Sequence, residues 1–359
     1  MRISQEELAR FEASGMVLNG AIEFAETGWA NDINMAMDAL PTLATTPNAG
    51  VPAWLESIID SQMTRVVFAP NKAAKIFGEV KKGDWLMKTA LFPVIEHTGE
   101  VSSYGDYSNN GRTSVNTDFP NRQSYLYQII KEYGEYELEV AGLAKISWVT
   151  ELDMAAQTVL NKFQNLTYFF GVNGLENYGL TNDPSLNASL TPAPKQQGGV
   201  TWFTTGNAPN ASANEVYNDI LAVFEQLVAQ GDGQVDIDME NELVLGLPPS
   251  LMTALGFTNA FGITAREMLE KNFPNLKVES AVQYGALTAS NTQGVAAGNY
   301  VQLICKNAGG QDTGYCAFNE KLRTHPIIRD LSSFKQKATQ GSWGAIIRQP
   351  WALASMIGC

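Results

Sequence analysis

FFGVNGLENYGLTNDPSL, spanning Phe169–Leu186, closes a long apolar-periodic run with three glycines and a proline. Upstream, Leu152, Ala156, Val159, Leu160, Phe163, Leu166 and Phe170 share one face at a 3.6-residue period. That spacing predicts a helix over Thr150–Phe170, about 21 residues and roughly 30 Å long. Thr150 and Asp153 form its expected capping pair, and Gly171 and Gly174 its stop. Before the helix, Gly83–Ile95 alternates at Trp85, Met87 and Thr89. Tyr125–Val140 alternates at Tyr125, Tyr127 and Ile129, then at Tyr136, Leu138 and Val140, with Glu135, Glu137 and Glu139 between. The polar stretch Glu100–Pro120 separates the two and carries Asn110-Gly111, a tight-turn signal. From Trp85 to Asp183 the pattern is therefore a long two-stranded projection followed by an amphipathic helix. Such a ribbon is marginal alone. A chain that assembles with copies of itself obtains the missing core from its neighbours.

Composition narrows the function classes. A length of 359 residues is too great for one small core, so two or three domains are expected. The chain is 45% hydrophobic, enough to fold, but only 17% charged; the usual share is about 25%. Sparse charge fits a surface covered by partners, and equally one rich in uncharged polar groups. The net charge of −13, with no Lys/Arg cluster, argues against a face that grips nucleic acid. It does not argue against a container that holds DNA. No apolar run reaches the length of a transmembrane helix, and the first residues lack the charged-then-apolar order of a secretory signal. Cys305, Cys316 and Cys359 have no metal-site spacing and are expected to be reduced thiols. Cys305 and Cys316 flank the turn Asn307–Gly314, where a cross-strand contact is open.

The rest of the chain divides around this run. Residues 1–62 read as an arm with helix-like Gln5–Phe11 and Trp29–Leu40, followed by a short β-branched run, Thr64–Phe68. Thr181–Asn210, rich in Pro, Asn and Gly, reads as a boundary. Beyond it are predicted helices at Ala213–Gln230, Ser250–Leu255 and Thr264–Asn272, the last capped by Thr264 with Glu267. Strands are predicted at Glu242–Leu247, Leu276–Ser280, Tyr300–Lys306 and Tyr315–Asn319, making an α/β region over about 201–320. Leu331–Ala338 and Trp343–Pro350 read as separate closing strands.

Catalytic chemistry has little support. His97 and His325 stand apart from any nucleophile, and no GxSxG, HExxH, CxxC or phosphate-loop pattern occurs. Asp232, Asp236, Asp238, Glu240 and Glu242 are the one metal-like cluster; they read more simply as a solvated acidic strand edge. Tyr125, Tyr127, Tyr133 and Tyr136 lack the interleaved basic residues of a base-stacking platform and read as ribbon packing on a neighbour. No catalytic, cofactor-binding or metal residue is assigned, and no cofactor is expected.

The order arm, long hairpin, long helix, Asn/Gly/Pro boundary, α/β insertion and return strands resembles that of the major capsid proteins of tailed bacteriophages. Their shell fold, the Johnson fold, is shared with herpesviruses and encapsulins. The resemblance rests on YFFGVNGLENYGLTNDPSL (Tyr168–Leu186) and GSWGAIIRQPWALAS (Gly341–Ser355) and covers essentially the whole chain. It implies an α+β fold with an N-terminal arm (1–62) and an extended β-hairpin loop (83–142). It also implies a peripheral domain (63–82, 143–200 with a long spine helix, and 321–359) and an axial α/β domain (201–320). The implied function is structural and not enzymatic: self-assembly through pentamers and hexamers into an icosahedral shell around packaged double-stranded DNA. Implied partners are the chain itself, a separate scaffolding protein, a portal and decoration proteins. No sequence-specific DNA binding and no membrane are implied, with assembly in the host cytoplasm and residence in the virion. Lys81, Lys82, Arg112, Arg122 and Arg329 are candidate interface charges. Lys88, Lys131 and Lys145 do not match the Lys–Asn crosslinking motif of some members. Two other readings stand beside this one: an encapsulin-like compartment holding a cargo enzyme, and a soluble α/β enzyme using the acidic cluster as a metal site.

Overall fold

The computed structural model describes residues 71–143, 146–204, 206, 208–235 and 241–359. The expectations for the arm 1–62, for Thr64–Phe68, and for Lys145, Asp236, Asp238 and Glu240 lie outside them. In chain order the elements are α1 (Ala73–Phe77), β1 (Glu79–Lys81), β2 (Thr89–Leu91), β3 (Val94–Glu100), β4 (Arg112–Asp118), β5 (Asn121–Gln123), β6 (Tyr125–Gly134), α2 (Glu135–Leu143) and α3 (Trp148–Phe170). Then follow α4 (Ala213–Gln230), β7 (Leu243–Leu247), α5 (Pro249–Met252), α6 (Ala265–Asn272), β8 (Leu276–Ser280), β9 (Tyr300–Cys305), β10 (Asn307–Ala308) and β11 (Gln311–Asp312). The chain closes with β12 (Gly314–Thr324), β13 (Ile328–Asp330), β14 (Ser333–Ile347) and β15 (Leu353–Ile357). Residues 71–139 and 147–359 fall in one compact unit; the described residues of the other carry only the end of α2.

Two sheets organise this unit. The first has the order β15-β9-β7-β8, with β7 parallel to β8 and antiparallel to β9. Its central strands β7 and β9 are buried throughout, as strands covered on both faces require, whereas edge strand β8 alternates Leu276 and Val278 with Lys277 and Glu279. Leu243, Leu245, Leu303 and Met356 join Val216, Ile220, Phe224 and Leu269 of α4 and α6. Val244, Ile304 and Leu353, on alternate positions, join Ile76, Phe77, Tyr168, Phe169, Leu180 and Ala345. The second core thus links α1, the end of α3 and the two sheets. The second sheet has the order β1-β12-β14-β13, with β6 on the other side of β14.

Local signals place several elements where the periodicity put them. α4 begins at a capping box: Ser212 N–H donates to Glu215 Oε2 at 2.7 Å, and Glu215 N–H to Ser212 Oγ at 3.4 Å. The backbone N–H groups of Ser212 and Gln196 hold the Glu215 carboxyl below its ordinary pKa. Ser212→Ala is expected to cost about 1 kcal/mol, read by denaturant unfolding. α6 carries the expected Thr264–Glu267 box.

Four expectations are corrected. Glu135–Val140 does not continue as strand but forms most of α2. Its Glu, Leu and Ala residues are good helix formers, Glu135 and Glu137 sit in the first turn where the helix dipole favours them, and Gly134 N–H donates to Glu137 Oε2. The period-two carboxylates were a coincidence of spacing. Second, residues 83–88 are not strand: Asp84 accepts from Trp85 N–H at 2.7 Å and Met87 N–H donates to Asp84 O, making a turn. Third, α3 starts at Trp148 after Ser147, with no side-chain cap; Asp153 pairs with Lys131 instead of capping. Fourth, the two closing strands are one 15-residue strand, β14. Gly341 does not break it. A Cβ there would stand 2.0 Å from Asn319 Oδ1, so the glycine permits close strand approach.

Sheet membership also crosses the expected division at 320/321. β12 lies wholly in the second sheet, while β15, which the sequence pattern did not mark, completes the first. Cys305 sits on β9 and Cys316 on β12, in different sheets and different cores, so the cross-strand contact is not made. All three cysteines are free and buried. Burial pushes each thiol pKa up, which disfavours the reactive thiolate.

Candidate assembly surface

The segment that closes α3 anchors everything that projects. After Gly171 (φ 63°) the chain loops and runs back past the helix end. Leu180 N–H donates to Tyr168 O, Thr181 N–H and Oγ1 to Phe169 O, and Asn182 Nδ2 to Phe170 O. The last carbonyls of the helix are thereby satisfied by one returning segment of irregular backbone. The same segment reaches both sheets: Ala345 N–H donates to Tyr178 O, and Gln302 Nε2 to Leu180 O at 2.9 Å. Fully buried Gln302 is held in turn by the Tyr284 hydroxyl at 2.7 Å.

The returning segment also holds the root of the projection. Buried Asn177 donates through Nδ2 to Gln123 O on β5 and to Ser342 O on β14, both at 3.0 Å. Gln123 N–H donates to Glu176 O. Arg122 donates to Asp183 at 2.7 Å, with the carboxylate fully buried, and its guanidinium lies 4.8 Å from the Tyr178 ring centre. β5 pairs with β2, and Ala90 and Phe92 pack on the cluster of Tyr315, Ala317, Trp343 and Ile346. Up to Phe92 the projection has a core.

Beyond Phe92 it has none. β3 and β4 form a two-stranded ribbon from Val94↔Asp118 to Glu100↔Arg112, with every residue of β4 exposed. Ile95 and Val115 are 59% and 53% exposed, and at the tip Val101, Tyr104 and Tyr107 are almost wholly in solvent. The ribbon is shorter than the sequence alternation implied. β6 does not pair with the outgoing arm; it pairs with β14 over ten positions, Tyr125↔Ser342 to Gly134↔Ser333. Tyr127 and Tyr133 of this strand pack inside the chain. Tyr127 meets Phe163 of α3 edge-on at 4.6 Å, and Tyr133 stacks on Phe334 at 5.5 Å. Tyr136 alone of that group stays largely exposed.

The candidate charges separate in the same way. Arg122 is a root anchor, Lys81 pairs with Glu320, Lys82 lies over the Tyr315 ring, and Arg329 pairs with Glu135 at 2.7 Å. Arg112 has no ion pair among the described residues. Lys131 is buried against Asp153. Among the described residues no group of three or more His, Cys, Asp or Glu is placed to hold a metal. Glu242, of the acidic cluster, takes hydrogen bonds from Lys306 and Lys277, which lower its pKa. His325 bonds the Thr339 hydroxyl, and His97 lies on the ribbon. Sequence reasoning missed Asn177, Gly179 and Asp183 as the clamp; the density of Asn and Gly after a helix stop was the available signal.

The architecture has relatives among solved structures. The capsid of the Myoviridae phage XM1 matches with a TM-score of 0.66 at 13% identity, covering 87% of this chain and 100% of that one. The capsid of a native GTA particle matches at 0.58 and 13% identity, covering 89% and 99%. Mycobacterium phage Ogopogo matches at 0.53 and 10% identity, covering 83% and 95%. The fold is thus the mixed α+β fold of phage-type capsid subunits. No curated protein sequence matches the chain. Over residues 42–358 the chain matches the family described as Pa193 gp26 major capsid protein, and it belongs to that family. It is a major capsid protein, a structural and non-enzymatic subunit of an icosahedral phage shell, located in the virion.

Proposed function

We propose that the chain builds its shell through pentamers and hexamers around packaged double-stranded DNA, and that the β3–β4 ribbon is the extended loop that reaches onto an adjacent copy. The observation that carries this is the contrast between root and ribbon. Arg122, Asn177 and the Trp343 cluster fix the root, whereas the ribbon exposes Ile95, Val101, Tyr104, Tyr107 and Val115 with no core of its own. Burying such side chains yields roughly 1.5–3 kcal/mol each before ordering costs. Contacts of that size, repeated around a shell, add through multivalency while each stays reversible.

In this proposal residues 1–62 are the N-terminal arm; within 83–142 the extended loop is the β3–β4 ribbon, since β6 joins β14; 63–82, 143–200 and 321–359 are the peripheral domain with α3 as spine; and 201–320 is the axial domain, less β12, which pairs with β14. A separate scaffolding protein, a portal and decoration proteins complete the particle, which assembles in the host cytoplasm. DNA is enclosed without sequence-specific binding, which the net charge of −13 supports. The test is to shorten the tip by replacing residues 101–111, which lie between the paired Glu100 and Arg112, with a two-residue turn. Subunit thermal unfolding is expected to stay within about 2 °C, while electron microscopy shows loss of closed shells. Normal shells from the shortened chain would refute the assignment of the ribbon.

A further inference from the structure

The strand register divides the ribbon into two chemically different faces. Directly paired residues share a face. Pairing of Val94 with Asp118, Glu96 with Asn116, Thr98 with Ser114 and Glu100 with Arg112 puts those eight residues on one side. The Asn116 Nδ2 bond to Glu96 Oε2 at 3.3 Å confirms the grouping. Ile95 with Thr117, His97 with Val115, and Gly99 with Thr113 fall on the other. All the carboxylates of the paired strands, Glu96, Glu100 and Asp118, are therefore on the first face, together with Arg112. The second is built of Ile95, Val115, two threonines and a glycine, with His97 its only titratable side chain.

We infer that the carboxylate-free face, Ile95, His97, Thr113, Val115 and Thr117, is the one that lies on a second copy of this chain, with Glu96, Glu100 and Asp118 turned to water. This rests on the ribbon's assignment as an assembly loop. The choice of face follows from charge. A copy of this chain carries a net charge of −13, so an approaching carboxylate face meets repulsion and loses its hydration. The other face brings two exposed β-branched apolar side chains and threonine methyls, and its burial removes no charged carboxylate from water. Segregated faces also set the ribbon's rotation about its own axis, because a quarter turn would carry Glu96 into the contact. The acidic face further discourages ribbons from stacking on one another before assembly.

The test places single glutamates at neighbouring exposed positions on the two faces: Val115→Glu and Thr117→Glu against Ser114→Glu and Asn116→Glu. Each full-length variant is assembled under the parent's conditions. Closed shells are counted by electron microscopy and sedimentation, and subunit thermal unfolding serves as the folding control. Val115→Glu and Thr117→Glu are expected to lower shell yield at least about tenfold, the effect of one carboxylate buried against an acidic copy. Ser114→Glu and Asn116→Glu, on the face turned to water, are expected to stay within about twofold of the parent. Equal losses on both faces, or greater loss on the Ser114 and Asn116 face, would overturn the inference. The tip-shortened chain separates the two levels. If it fails to assemble while the faces behave alike, only the choice of face falls; if it assembles normally, the ribbon's role falls as well.

Discussion

Gly179→Ala is expected to cost more than about 4 kcal/mol of unfolding free energy, well beyond an ordinary point substitution. A Cβ at Gly179 would stand 2.3 Å from the carbonyl carbon and oxygen of Phe169 and 2.4 Å from the nitrogen of Phe170. These are backbone atoms at the end of α3, not the far end of a flexible side chain. Relief requires the returning segment to move away from the helix. That movement breaks the bonds from Leu180 and Thr181 to the last helical carbonyls and the bond from Gln302 to Leu180 O. Each buried group left unpaired costs about 1–3 kcal/mol, so several kcal/mol follow whichever way the clash is relieved. Gly174→Ala is the control. It has φ 84° but open space around its Cβ, so it pays only the left-handed strain of about 1–2 kcal/mol. Denaturant unfolding of the two variants gives the comparison. A Gly179→Ala loss no larger than that of Gly174→Ala would show that the segment does not cross the helix end as tightly as described.

That clamp explains which parts of the fold were legible. α4 and β8 have the bounds expected, because their periodicity, caps and turn residues are all local. The helix stop at Gly171 was legible for the same reason. What the following segment does was not: Asn177 bonds a carbonyl 165 residues further on, and Gln302 reaches back 122 residues to Leu180. Glycine carries two opposite messages in such a sequence. At Gly171 it ends an element; at Gly341 it lets one continue beside Asn319, and nothing in the neighbouring residues distinguishes the two. The ribbon was recognisable as a projection lacking a core, but its extent was misjudged. Tyr125, Tyr127 and Ile129 alternate as any half-buried strand does, and alternation does not say whether the partner strand is β14 or the outgoing arm. The capsid resemblance came from the order of elements along the chain, which survives these local errors.

Arg122→Ala is the second large effect expected, and it couples stability to assembly. Asp183 is fully buried; its Oδ1 accepts from Ser185 N–H and Oγ, and its Oδ2 from Arg122. Removing Arg122 leaves that buried carboxylate uncompensated, at a cost of about 3–5 kcal/mol. The damage is local in origin, because Arg122 is also the β5 residue paired with Ala90 and stacked on Tyr178. Losing it loosens the ribbon root, which then keeps only the Asn177 and Glu176 bonds to Gln123 and the packing of Ala90 and Phe92. Arg122→Lys keeps the charge but not the planar stack or the fork geometry, and is expected to lie between parent and alanine. The double variant Arg122→Met with Asp183→Leu removes the charge together with its partner and is expected to recover most of the unfolding free energy. It is not expected to recover shells to the same degree, because the guanidinium's hold on the returning segment is gone. Hydrogen exchange across 89–123, read beside shell yield, tests the coupling: Arg122→Ala should exchange faster there and assemble poorly at temperatures where the sheets remain folded. An Arg122→Ala subunit within about 1 kcal/mol of the parent, with normal shells, would mean that the ribbon is aimed by something other than this ion pair.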